Sequence, residues 1–319
     1  MPNLKELGIE GVIDVHSHSG STDYYNLFSD ELPNTQSVDD LLLKAKLAGV
    51  EKIVTFPLPS TSYYNPKILV EKGERRPSGL QDFPYQNENK SLLLGCKYAT
   101  DSNMVFPFMC IDPSVKQKEQ LDFLTNLKHD GKIFGLKLHT LATGSTALDL
   151  EKGGFVDFAI SNNLPIMIHS GLNDSFSHPK NILKLADNHP QLKLCIAHLA
   201  WLDQEIISQV SKKSKIFIDT SPFLLLCDSV KRNDSLTSRF NLIDPFDPPA
   251  SLLRYYSLLR DNLVWGTDEP WTKFIDSDGN VITNHTYFDE ANVLAKTFEI
   301  NPKAVCSITN KNTMRFIFG

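Results

Sequence analysis

Residues 13–20 read Ile-Asp-Val-His-Ser-His-Ser-Gly, placing an aspartate and two histidines at alternate positions straight after a short β-branched run. Alternate side chains of a strand point to one face, so Asp14, His16 and His18 are expected to emerge side by side. Burying such groups unpaired costs roughly 2–7 kcal/mol each. A metal ion is one partner that removes this cost, and the remaining ligands must then come from elsewhere in the chain.

Candidates stand at the ends of the other apolar runs. Lys137 and His139 close the fourth run, His169 the fifth, His198 the sixth, Asp219 the seventh and Asp268 the eighth. Five of the nine histidines therefore fall at strand ends, while His129, His178, His189 and His285 read as solvated surface residues. The His-x-His spacing is a modest signal by itself, because alternating histidines also occur on exposed strands. Joined to His169 and Asp268 at the same ends of their strands, it becomes strong. Three imidazoles and a carboxylate suit a borderline divalent ion, Zn2+ first, with Mn2+ or Fe2+ as alternatives. Such an ion lowers the pKa of a bound water from 15.7 toward about 7 and makes hydroxide available at neutral pH.

The elements that must position these residues alternate regularly. Strand candidates lie at 11–15, 52–56, 104–111, 133–139, 164–169, 192–198, 215–220 and 262–268. Helical patterns fill the intervals, such as 37–49, opened by a capping serine, and 114–131, ended by a glycine. Eight such units predict a closed (β/α)8 barrel of the TIM type, as a single α/β domain over residues 1–319. An open doubly wound sheet is the alternative, disfavoured by the lack of a glycine-rich first turn. Long loops are expected near 57–85, 221–247 and 269–284, on the face where barrel enzymes place their sites.

Bulk properties narrow the function further. A net charge of −6 gives no overall basic field for nucleic acid or an anionic membrane. The N-terminus lacks a basic segment followed by an apolar core, so no signal peptide is expected, and no run approaches the roughly 18 apolar residues of a membrane span. Five cysteines, an odd number without a CxxC pair, fit reduced thiols in a cytoplasmic protein. The expected partner is a small-molecule substrate, with homo-oligomerisation left open.

The segments Asp-Val-His-Ser-His (14–18), Gly-Leu-Lys-Leu-His (135–139), Ile-His-Ser-Gly (168–171), Ala-His-Leu-Ala (197–200) and Trp-Gly-Thr-Asp-Glu-Pro (265–270), in this order, resemble the amidohydrolase superfamily. The similarity is greatest to its amidohydrolase-related (amidohydrolase 2) branch, and includes the ending Asn-Thr-Met-Arg-Phe-Ile-Phe-Gly (312–319). The resemblance implies that His16, His18 and His169 bind a metal, and that Asp268 binds it and accepts the proton of the attacking water. It also implies that His198 binds a second metal or polarises the substrate and steadies the oxyanion. In binuclear branches a strand-four lysine is carbamylated. Lys137 has a histidine two residues later, as in the mononuclear branch, so one ion is favoured over two and Lys137 reads as a substrate contact or an ion-pair partner. His139 reads as a contact of substrate or of the ligands. Asp14 is a candidate acceptor for a ligand imidazole N–H, the competing reading being an Asx bond that structures the loop. Arg75 and Arg76 are candidates for a substrate carboxylate, and Tyr63, Tyr64, Trp201 and Phe223 for the pocket wall, against the plainer readings of solvation and core packing.

The leading expectation is metal-dependent hydrolysis of a small amide, lactone or ester, with Asp268 handling the proton and His198 the oxyanion. Non-oxidative decarboxylation of an aromatic or unsaturated acid keeps the same site. A phosphodiesterase of the TatD type shares the Thr-Asp-x-Pro motif at 267–270, but has a glutamate where this chain has Gly-Leu-Lys-Leu-His. A catalytically silent barrel is the remaining alternative, and the retention of every ligand type argues against it.

Overall fold

The computed structural model describes residues 3–22, 35–172, 174–232, 242–275 and 281–319. The sheet order follows the chain: β1 (Ile13–Ser21), a two-residue β2 (Thr35–Gln36) antiparallel to the end of β1, then β3 (Lys52–Pro57), β4 (Val105–Ile111), β5 (Gly135–Leu138), β6 (Ile166–Ile168), β7 (Leu194–Ile196), β8 (Ile216–Asp219) and β9 (Leu263–Val264). All but β2 run parallel, each at one of the eight expected positions. The sheet closes on itself where the segment after β9 meets β1. Val15 N donates to Trp265 O at 3.1 Å, Asp268 N to His16 O at 2.7 Å and His18 N to Glu269 O at 2.7 Å. The expected (β/α)8 barrel is the fold that forms.

Strand alternation sorts the apolar residues into two cores. Val15, Val54, Phe56, Phe108, Met167 and Phe217 point inward, whereas Ile53, Leu136, Ile166, Ile168, Leu194 and Ile218 pack outward against the helices. The C-terminal helix Asn312–Phe318 contributes to the inner core. Phe316 packs with its ring centroid 5.4 Å from Phe217 and 6.1 Å from Phe108, and the carbonyl of Ile317 accepts from Lys193 Nζ ahead of β7. This helix fills the barrel at the end opposite the histidines, leaving one open mouth.

The helix expected at 37–49 spans Val38–Ala48, with Ser37 and Asp40 forming a reciprocal capping box and Gly49 in the left-handed region at φ 82°. The pattern at 114–131 becomes helix Gln117–His129, with Gly131 at φ 69° just past its end. The long loops carry structure of their own. Residues 57–85 include helix Pro66–Lys72, and 221–247 include helix Phe223–Arg232, residues 233–241 lying outside the described set. Within 269–284, β10 (Lys273–Ile275) pairs antiparallel with β11 (Val281–Asn284), residues 276–280 again lying outside that set. All five cysteines are free, Cys110, Cys195 and Cys227 being buried. Among the described residues no helix is long and apolar enough to cross a membrane.

Phe316 is fully buried between two inward rings, so Phe316→Ala should cost about 3–5 kcal/mol of unfolding free energy. Urea titration of the variant checks this, and a loss below about 1 kcal/mol would mean that the helix is not an integral part of the inner core.

A candidate metal centre at the barrel mouth

The β1–β3 register shifts between Asp14 and Ser17, and this irregularity breaks the alternation expected of the first motif. The Asp14 carboxylate turns to the main chain, accepting from His16 N at 3.0 Å, Thr267 N at 3.1 Å and Thr267 Oγ1 at 2.8 Å. It structures the loop and ties β1 to the segment after β9, and no imidazole N–H reaches it. Burial pushes its pKa up to about 7. His16 and His18 do share a cavity, with ring centroids 5.5 Å apart. Gly266 makes the approach feasible, because a Cβ there would lie 2.6 Å from the Cβ of His16.

Hydrogen-bond partners set the polarity of both rings. His16 Nδ1 lies 2.8 Å from Asp219 Oδ2, and His18 Nδ1 lies 3.2 Å from the carbonyl of Pro57, so each Nδ1 carries a proton and donates it. The Nε2 atoms of His16 and His18 then present lone pairs to one carboxylate oxygen, Asp268 Oδ1, at 3.0 and 3.2 Å. Lone pairs facing a carboxylate at this distance require a cation between them. His18 does not supply it as a proton, since burial pushes its pKa down to about 4. For His16, burial and Lys137 act downward, but Asp219 and Asp268 outweigh them and raise it, so a proton on its Nε2 takes the cation's place when no metal is bound. Burial alone would raise Asp268, yet His16 and His198 beside it hold it well below the ordinary carboxylate range. His16, His198 and Asp268 offer donor atoms all within 4.8 Å of one another, and nitrogen and oxygen donors of this kind fit a divalent ion.

His198 begins a left-handed turn: His198, Leu199, Ala200, Trp201 and Leu202 all have φ between 48° and 63°. L-residues pay roughly 1–2 kcal/mol each for this conformation, so the surroundings must hold it. Asp219 does so at one end, its Oδ1 accepting from His198 N at 3.0 Å and from Ser221 N and Oγ at 3.0 and 2.8 Å. The His198 ring reaches the Ser221 carbonyl through Nδ1 at 2.8 Å. Farther back, Glu290 accepts from Leu224 N at 2.9 Å and fixes the start of the helix that follows Ser221. Burial lifts Glu290 from the ordinary 4.5 to about 8.

A family model described as Amidohydrolase (Amidohydro_2) matches residues 75–305 of the chain. The chain belongs to this amidohydrolase family. Among curated proteins none matches. Similar solved structures include 5-carboxyvanillate decarboxylase of Novosphingobium aromaticivorans, complexed with manganese and a nitrobenzoic acid (TM-score 0.62, 10% identity, 97% of each chain covered). Metarhizium anisopliae IDCase in apo form is another (0.60, 12%, 98% of each chain). A third is 4-oxalomesaconate hydratase of Rhodopseudomonas palustris (0.58, 14%, 96% of this chain and 95% of that one). At these identities the likeness is one of fold.

In this amidohydrolase the five strand-end histidines all line one mouth. His169 Nδ1 is 2.9 Å from His198 Nε2, which places it one hydrogen bond away from the His16–His198–Asp268 group. His139 stacks on His169 with centroids 4.4 Å apart at 15°, and its Nδ1 accepts from Ala142 N. Burial lowers the pKa of both well below the ordinary imidazole value. Lys137 is fully buried, its Nζ 3.3 Å from His16 Nε2 and 4.4 Å above the Phe56 ring. Among the described residues no carboxylate lies within ion-pair distance of that ammonium, so it is not the ion pair weighed from the sequence, and burial lowers its pKa.

At the rim, Arg75 lies over the Tyr64 ring and donates to the Ala142 carbonyl at 3.3 Å, within the turn that follows His139. Tyr64 OH donates to Asp112 at 2.6 Å, and Tyr63 packs edge-on against Tyr64. Arg76 pairs instead with Glu74 at the surface. Trp201 and Phe223 pack into the outer core rather than walling the mouth, whereas Trp271, which sequence reasoning passed over, lies edge-on 6.4 Å from His18. Of the remaining histidines, His129 is exposed and His178 caps a helix, but His285 and His189 are partly buried against Asp228 and Glu151. Asp219, singled out from sequence only for its position, holds both His16 and the His198 turn.

Two predictions follow from this scaffold. Asp219→Ala should weaken Mn2+ binding by about 10–100-fold, measured by calorimetry, because it frees the His16 ring and the His198 turn together. A carboxyl group raised to about 8 in the fold and about 4.5 when unfolded loses its contribution to stability as pH rises between those values. Glu290→Gln removes that loss, so its melting temperature relative to the parent should climb from pH 5 to pH 8. A difference independent of pH would show that Glu290 is ionised throughout.

Proposed function

We propose that this amidohydrolase is a metal-dependent hydrolase of a small carbonyl substrate, an amide, lactone or ester, with or without a carboxylate. One divalent ion serves the site, Zn2+ in first place and Mn2+ or Fe2+ next. The observation that carries the proposal is the convergence of His16 Nε2 and His18 Nε2 on Asp268 Oδ1, in a group that also includes His198. His16, His18 and Asp268 would hold the ion, with His169 or His198 as the further nitrogen donor. The bound ion supplies Lewis acidity and a water acidified toward neutral pH.

The chain's own residues do the rest. Asp268, kept anionic by the imidazoles around it, accepts the proton of the attacking water and returns it to the leaving group. His198 is oriented through its Nδ1–H to Ser221 and would polarise the substrate carbonyl through its Nε2 in the protonated ring. Lys137 and His139 contact the substrate from beside the ligands, Lys137 next to His16 and His139 stacked on His169. The odd set of free thiols fits a reducing compartment, so we place the protein in the cytoplasm.

Decarboxylation on the same site is the second reading. It is favoured by Arg75, whose guanidinium stands at the rim without a carboxylate partner among the described residues. It is favoured also by the fold likeness to a carboxyvanillate decarboxylase.

Elemental analysis of protein purified without added metal should find one ion per chain, lost in His16→Ala. The His169→Ala and His198→Ala variants separate the remaining donor, since the true ligand loses metal and the other keeps it. A panel of lactones and amides, run beside carbon dioxide release from aromatic and unsaturated acids, decides the reaction. Metal-free protein with full activity would refute both readings.

A further inference from the structure

Outside the mouth, a single ammonium connects the two strands that supply the opposing ligands. Lys44 lies on the helix Val38–Ala48, outside the strands that carry the ligands. Its Nζ donates to the Glu269 carboxylate and, at 2.7 Å, to Gln36 Oε1. Gln36 Nε2 in turn donates to the carbonyl of His18 at 2.8 Å. On the opposite side of the same residue, His18 N donates to the Glu269 carbonyl at 2.7 Å. Both peptide groups of His18 are thus gripped by residues that Lys44 joins, and one of those residues directly follows Asp268.

We propose that Lys44 is a positioning residue for the metal centre: through Glu269 and Gln36 it sets the spacing of His18 against Asp268. The inference rests on the cation-site reading above. The Glu269 side chain is only 7% exposed, so without Lys44 it is a buried anion beside a second anion, Asp268. Lys44 itself is 36% exposed, so the pair is buried on the Glu269 side alone, and it is the loss of Lys44 that leaves a desolvated charge. The cheapest relief for Glu269 is to turn toward water, which pulls the peptide of Asp268 away from His18. Water is at hand, since Lys44 and Glu269 line a cavity of about 500 Å3 between helix Val38–Ala48 and the start of helix Tyr287–Ile300. Nothing in the inner core has to move, so the expected damage is to alignment rather than to the fold.

The test compares Lys44→Met, Lys44→Arg, Glu269→Gln and the double variant Lys44→Met/Glu269→Gln. Mn2+ affinity is measured by calorimetry, and amide hydrogen exchange is followed over residues 13–21 of the metal-free protein. Lys44→Met should weaken Mn2+ binding by about tenfold and speed exchange at His18, with the melting transition still cooperative. Lys44→Arg should restore both, and the double variant should bind Mn2+ more tightly than Lys44→Met alone, because the stranded charge is gone. Affinity within twofold of the parent in Lys44→Met overturns the proposal, as does a double variant no better than the single. If the parent itself takes up no Mn2+, the cation reading fails. The exchange measurement then decides the clamp by itself, with unchanged His18 protection overturning it.

Discussion

Lone pairs that converge in a dry cavity repel one another unless a positive charge sits among them, and this constraint organises the mouth of the barrel. His16 and His18 commit their Nδ1 protons to Asp219 and Pro57, which leaves both Nε2 atoms facing Asp268. Each commitment is enforced by a group at the end of another strand. Asp219 is the last residue of β8, and the Pro57 carbonyl closes β3. The barrel therefore does more than bring ligands near one another: it fixes which nitrogen of each ring is available. A site assembled from the same residues with free tautomers would satisfy itself internally and have no need of a cation.

The fold was legible because its signal is repeated. A parallel strand buried on both faces reads as a short continuous apolar run, and eight such runs at regular intervals leave little freedom of architecture. Strand ends were legible for the same reason, so His16, His18, Lys137, His139, His169, His198, Asp219 and Asp268 were all placed at the mouth by counting. The two-residue β9 shows the limit of that signal. Its ladder reaches only Leu263 and Val264 of the strand expected at 262–268, so closure depends on backbone bonds from residues 265–269.

What sequence could not give is orientation. Simple alternation put Asp14 beside His16 and His18, and the register shift after Asp14 sends its carboxylate to Thr267 instead. A bulge adds no compositional mark, so pattern alone cannot reveal it. The choice between His169 and His198 nearest the ion depends on ring rotations set by Asp219 and Ser221, residues at the end of a neighbouring strand. The left-handed turn at 198–202 is still less visible. Nothing in His-Leu-Ala-Trp-Leu suggests positive φ, and only the bonds that over-determine it account for it. Local chemistry was readable, whereas long-range hydrogen bonds were not.

The barrel closes through the backbone of His16 and His18 meeting residues 267–269, and this dictates when the site can come into being. During synthesis the histidine pair precedes its carboxylate partner by some 250 residues. A chain that stops short of Asp268 lacks the carboxylate that faces both rings, so the complete donor set does not exist before that residue is added.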